Sequence, residues 1–195
     1  MIRVVAVFLV LACTVLPAGD TAEWVGTRSC KMCHKTEAKG NQFGIWSATK
    51  HATALATLSS HEALEIAKER GLEELPSESA ECLPCHTIGF GRGGYQVLSA
   101  EFVADEANKK AVRKNKSLEN VGCESCHGAG KNYKSRKIMM GIFDGSISPD
   151  SVGLVMPNEE TCTACHNEKS PKFTGFDFET MYAKIAHPYP AGMRE

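Results

Sequence analysis

Eight of the nine cysteines fall into four pairs, each pair three positions apart and each followed at once by histidine. The segments are Cys30-Lys-Met-Cys33-His34, Cys82-Leu-Pro-Cys85-His86, Cys123-Glu-Ser-Cys126-His127 and Cys162-Thr-Ala-Cys165-His166. Two thiols at this spacing reach the two vinyl groups of one porphyrin as thioethers. The next residue then lies beneath the ring, where its imidazole binds iron. The spacing predicts four covalently bound haem c groups. Cys30, Cys33, Cys82, Cys85, Cys123, Cys126, Cys162 and Cys165 attach them, and His34, His86, His127 and His166 are the proximal ligands.

Zinc ribbons and disulfides are the competing readings. Zinc sites use paired Cys-x-x-Cys units but do not require histidine after each one. Disulfides across two residues are usually redox-active rather than structural. Histidine fills only 7 of 195 positions, so four coincidences have a chance of roughly two in a million. Haem attachment is the reading adopted.

Each iron has one further axial position. Beyond the four proximal histidines only His51, His61 and His187 remain, so at most three haems are bis-histidine within one chain. At least one is ligated by Met or Lys, ligated from another chain, or open. His51 follows Trp46 in a stretch, 45–58, that reads as a helix. His61 stands at the polar start of the next helix, where Ser59 and Glu62 have capping-box spacing and Gly71 stops it. His187 ends an aromatic helix carrying Phe176, Phe178, Met181 and Ile185, terminated by Pro188. A helix-terminal histidine also suits the helix dipole, but an aromatic helix beside the fourth motif suits a haem wall. Met139 and Met140 are the thioether candidates, whereas Met156 and Met181 read as core filling.

The elements around these motifs read as mainly α-helical with much irregular loop, a compact multihaem cytochrome in which four closely set haems supply much of the core. The first 18 residues read as an export signal: Arg3, the apolar run 4–12 and small residues near Ala18. The run is shorter than the ~20 residues a bilayer span needs, so no stable membrane span is expected after cleavage. Val10-Leu11-Ala12-Cys13 also resembles a lipobox, a less favoured anchoring at Cys13. Residues 19–195 then form one tetrahaem domain, about 44 residues per motif, too few for much core per segment. The motifs begin 52, 41 and 39 residues apart, an irregular repeat. Residues 89–95 form a glycine-rich turn that lets backbone approach a porphyrin face. A short strand pair is expected over 95–103 and a polar helix over 106–118.

Hydrophobic residues make up 43% and charged residues 23%, with a net charge of -1 and a pI of about 6.7. That balance suits a soluble globular chain and gives no general attraction to nucleic acid. Basic residues cluster at Lys109, Lys110, Arg113, Lys114 and Lys116, and again at Lys131, Lys134, Arg136 and Lys137. They read as a solvated face, as partners for haem propionates, or as a docking patch for an acidic redox partner.

In these motifs the chain resembles the tetrahaem cytochrome c-554 family. The likeness rests on Cys30-Lys-Met-Cys-His34 with Lys50-His51-Ala52, and on Cys82-Leu-Pro-Cys-His86 leading to Gly89-Phe-Gly-Arg-Gly-Gly-Tyr95. Val121-Gly-Cys-Glu-Ser-Cys-His-Gly-Ala-Gly130 and the Phe-x-Phe helix to His187 complete it. It runs over roughly residues 26–188. The resemblance implies little regular sheet, haems stacked in close pairs, and electron transfer in the periplasm. It also implies three bis-histidine haems and an open position at the second motif, where His86 is the sole protein ligand. His51 and His187 match two family distal histidines. The third lies shortly after the third motif, and residues 131–140 hold none. Met139, Met140, Lys137 or His61 would substitute, and Met raises the potential relative to histidine.

Three functions compete. The first is an exported electron carrier between redox-protein donors and acceptors, not itself an enzyme, in the periplasm or outside the cell. The second is a reductase of nitric oxide, nitrite or hydroxylamine at an open haem. The third is a subunit of an extracellular haem filament or a larger oxidoreductase.

Overall fold

The computed structural model describes residues 23–189. The expected signal at 1–18, with Cys13, lies outside the described residues. What is described is helical and loop-rich, as expected. In chain order the helices are α1 (Thr27–His34), α2 (Gln42–Ser47), α3 (Ala54–Thr57), α4 (His61–Arg70), α5 (Leu83–His86) and α6 (Ala100–Ala104). They continue with α7 (Lys109–Lys116), α8 (Cys123–His127), α9 (Arg136–Phe143), α10 (Glu159–Thr163) and α11 (Phe178–Tyr182). None is longer than ten residues, so hardly any would hold together without tertiary support. No described helix is long and apolar enough to cross a membrane.

Several elements differ from expectation. Residues 45–58 are not one helix. The chain breaks after α2, takes an extended residue at Thr49 and a 3-10 turn over Lys50–Thr53, then enters α3. The break is held by contacts outside the segment: Trp46 Nε1 donates to the Val121 carbonyl (2.8 Å). Val121 N–H donates back to His51 O (3.2 Å). Asn120, left-handed at φ 69, accepts from Leu55 N–H (2.9 Å). These bonds fix His51 against the chain leading into α8, an outcome that local periodicity does not encode. Helix α4 is capped by Ser60, not Ser59, with Gly71 in the left-handed C-cap as expected. No strand pair forms over 95–103; the sheet-like contact described is a single bridge between Thr87 and Glu119. The helix toward His187 is only α11, begun by the Asp177 side chain accepting from Thr180 N–H. Residues 183–185 follow as turns. Met156 and Met181 are not core: each is 41% exposed.

The polypeptide's own core is small and divided. One cluster joins Trp24, Ile88 and Leu118, with Tyr95 and Ala129 against it. The other joins Tyr133, Ile142 and Leu154, flanked by Ile138, Met139, Ile147 and Val152. Both lie beside Cys-x-x-Cys-His segments. Main-chain bonds lace the first cluster together, from Ile88 N–H to Leu118 O (2.9 Å), Tyr95 N–H to Ile88 O (2.8 Å) and Thr27 N–H to Ser117 O (2.9 Å). The glycine-rich turn at 89–95 serves this cluster. Gly89 adopts φ 64 and receives the Trp24 indole, which a Cβ there would overlap. Trp24 Nε1 closes the contact on Arg92 O (2.8 Å). The close approach at Gly89 is made by an indole. Gly89→Ala is expected to cost about 1–3 kcal/mol from backbone strain and overlap. Thermal unfolding checks this, and an unchanged midpoint would contradict the role given to the turn.

Candidate functional site

Each pair of cysteines lies on or at the mouth of a short helix. The first motif occupies α1, the third fills α8, and Cys82 caps α5. The fourth runs from α10 into a final turn, where His166 N–H bonds Cys162 O at 2.9 Å. Positions i, i+3 and i+4 of a helix share one face, so each motif presents two sulfurs and one imidazole together.

Three of the four imidazoles are oriented through Nδ1. His86 Nδ1 meets the Ala54 carbonyl at 2.6 Å, and His127 Nδ1 meets the Val155 carbonyl at 2.9 Å. His34 Nδ1 meets Gln42 Oε1 at 3.2 Å. A carbonyl can only accept, so Nδ1 carries the proton and Nε2 is left as the metal-binding nitrogen. Gln42 also donates from Nε2 to Pro188 O (3.2 Å), joining the first motif to the segment of His187. The His166 ring is held differently, stacked on Phe176 with centroids 4.9 Å apart. Sequence reasoning did not find Gln42, Ala54 or Val155 in these roles. Two act through backbone carbonyls, which carry no side-chain signature.

Two of the three remaining histidines face proximal ones. His51 lies 6.0 Å from His166 between ring centroids, and His187 lies 5.8 Å from His127. Two metal–nitrogen bonds of about 2 Å in line, plus the half-rings at either end, make about 6 Å. Both pairs fit one metal ion between them. Burial, then the neighbouring His166, holds His51 below the ordinary imidazole value. Burial, then His127, does the same for His187. Burial also lowers His127 against the opposing pull of the Val155 carbonyl. All three favour the neutral form that binds metal. His61 is placed elsewhere, its side chain 89% exposed beside Glu65. Met139 packs on the second apolar cluster, Met140 is 48% exposed, and Lys137 is exposed.

The sulfurs show which motifs are neighbours. Cys30 and Cys123 lie side by side, as do Cys85 and Cys165. Cys126 and Cys162 are close enough to affect one another. The motifs therefore adjoin in the order first, third, fourth, second. No disulfide joins any of the eight, and burial pushes the Cys126 thiol up to about 11.

The family described as cytochrome c554 and c-prime matches residues 29–128, which hold the first three motifs. The chain belongs to this family. It is 30% identical over 155 residues to cytochrome c-554 of Nitrosomonas europaea, an alignment spanning 74% of this chain and 58% of that relative. It is also similar to a solved structure of reduced cytochrome c554 from Nitrosomonas europaea. That match has TM-score 0.54 and 29% identity, covering 85% of this chain and 78% of the other. The chain is thus a multihaem c-type cytochrome with four covalently bound haem c groups.

One residue inside a cytochrome motif has a role that its position does not announce. Glu124, between Cys123 and Cys126, is 1% exposed. Its carboxylate accepts from the backbone N–H groups of Val25 (2.9 Å), Gly26 (2.6 Å) and Gly130 (2.6 Å). It thereby pins the entry to α1 against α8, the same two motifs that Cys30 and Cys123 bring together. A buried carboxylate is tolerated only when hydrogen bonds replace its hydration. Glu124→Ala strands three N–H donors, two of them buried, and is expected to cost on the order of 3 kcal/mol or more. Glu124→Gln should lose less, keeping one acceptor. Denaturant titration of the haem-loaded protein checks both, and an unaltered midpoint for the alanine variant would contradict the clamp.

Proposed function

We propose that this cytochrome is exported through the segment 1–18 and transfers electrons between redox proteins in the periplasm. In this reading Cys30 and Cys33 hold one haem, Cys82 and Cys85 the second, Cys123 and Cys126 the third, Cys162 and Cys165 the fourth. His34, His86, His127 and His166 are their proximal ligands. His187 completes the iron of His127, and His51 completes that of His166. The observation that carries the reading is the pair of imidazole–imidazole spacings, 6.0 and 5.8 Å, each between a motif histidine and one from a distant segment. An iron with two imidazoles has no site for substrate and is suited to gaining and losing an electron without changing ligands. Adjoining attachment points support closely set neighbouring redox centres, and close spacing favours passage along the set.

Bound haem supplies the electron chemistry; the chain's residues hold and orient it. His34, His86 and His127 keep Nε2 directed by fixing Nδ1 on an acceptor. Phe176 covers His166. A shallow cleft beside the first motif is lined by Arg28, Lys110, Arg113 and Lys114 around Met32, which is largely exposed. Cations around an apolar centre suit an acidic redox partner, with association that weakens as salt rises.

His51→Ala and His187→Ala should each convert one low-spin haem to high spin, read by electron paramagnetic resonance of the ferric protein. A spectrum unchanged from the parent would remove that residue as a ligand.

A further inference from the structure

All seven histidines of the chain lie among the described residues, so their allocation can be completed. Four follow the second cysteines. His51 and His187 face His166 and His127. The last, His61, stands in solvent at the start of α4, its side chain 89% exposed. No histidine remains for His34 or for His86.

The substitutes read from the sequence near the third motif are also placed among the described residues. In the stretch 131–140, Lys137 and Met140 are exposed and Met139 packs on the Tyr133, Ile142, Leu154 cluster. The buried side chain in that stretch which feels the Cys30 and Cys123 sulfurs is Tyr133. Its hydroxyl is already engaged, donating to Gly128 O at 2.6 Å, with His127 O at 3.2 Å. A phenol so held is a neutral donor, not the phenolate that binds ferric iron.

We propose that the haems at Cys30–His34 and Cys82–His86 each keep one axial position free of protein ligands, so that one chain binds two neutral diatomic molecules. The resemblance noted above implies a single open haem, at the second motif; the allocation of histidines adds the first. The adjacency of the sulfurs gives this a layout. The first and second motifs are the two ends of the order, and the two imidazole-paired motifs lie between them. A ligand-binding iron stands at either end of a pair of irons closed to ligands. The inference rests on the haem assignment proposed above.

The test uses full-length haem-loaded protein and carbon monoxide, which binds ferrous haem only where an axial position is open. Haem is first counted per chain after denaturation. A count below four would overturn the attachment reading itself, a failure distinct from that of the present proposal. With four haems, titration followed in the visible spectrum should end at two carbon monoxide per chain, and the ferric protein should show two high-spin haems. An end point of one or none overturns the proposal. His61→Ala, Met139→Leu and Met140→Leu should leave the end point at two. If the parent binds one and any of these variants binds two, that residue is the missing ligand and the proposal fails. A rise from one to two on dilution would assign the ligand to a second copy of the chain, and would also overturn it.

Discussion

The architecture depends on holding two imidazole rings from separate parts of the chain about 6 Å apart. Metal–nitrogen bonds tolerate errors of only tenths of an ångström, yet the helices here are short and the apolar core small and split. Precision is achieved by specific polar bonds instead. Trp46 and Asn120 fix the segment of His51 against the approach to α8. Gln42 ties His34 to the chain just past His187, and Val155 both receives His127 and bonds its backbone. Each link ends on a backbone group, which has fewer degrees of freedom than a side chain.

The same economy explains the clamp at Glu124. A motif that attaches haem needs residue types only at its cysteines and histidine, so the two intervening positions are available for other work. In the third motif one of them reaches out of its helix to the backbone ahead of α1. Attachment of one cofactor and packing against the next are thereby combined in five residues. Adjacency of the motifs follows from such contacts and not from sequence order: the first motif meets the third, and the second meets the fourth.

The sites were far more legible in the sequence than the frame that positions them. Thioether chemistry requires two thiols and an imidazole within five residues, so all four attachment segments stand out in isolation. His51 and His187 were legible as spare imidazoles, but their partners were not, because pairing is decided by the packing of distant segments. The same cause accounts for the elements that differ. Helical periodicity over 45–58 is real, but bonds from Asn120 and Val121 break it around His51. The aromatic helix before His187 contracts to α11, and the glycine-rich turn receives Trp24, a residue nearly seventy positions away. Met156 and Met181 show the limit of reading apolar side chains as core where a protein encloses little core of its own.

The claim on which the account stands is that a single iron sits within each imidazole pair. Anomalous diffraction at the iron edge from crystals of the haem-loaded protein locates the metals directly. The account predicts four iron peaks per chain, one midway between His51 and His166 and one midway between His127 and His187. Peaks absent from those midpoints, or a zinc signal at the thiol pairs, would contradict it.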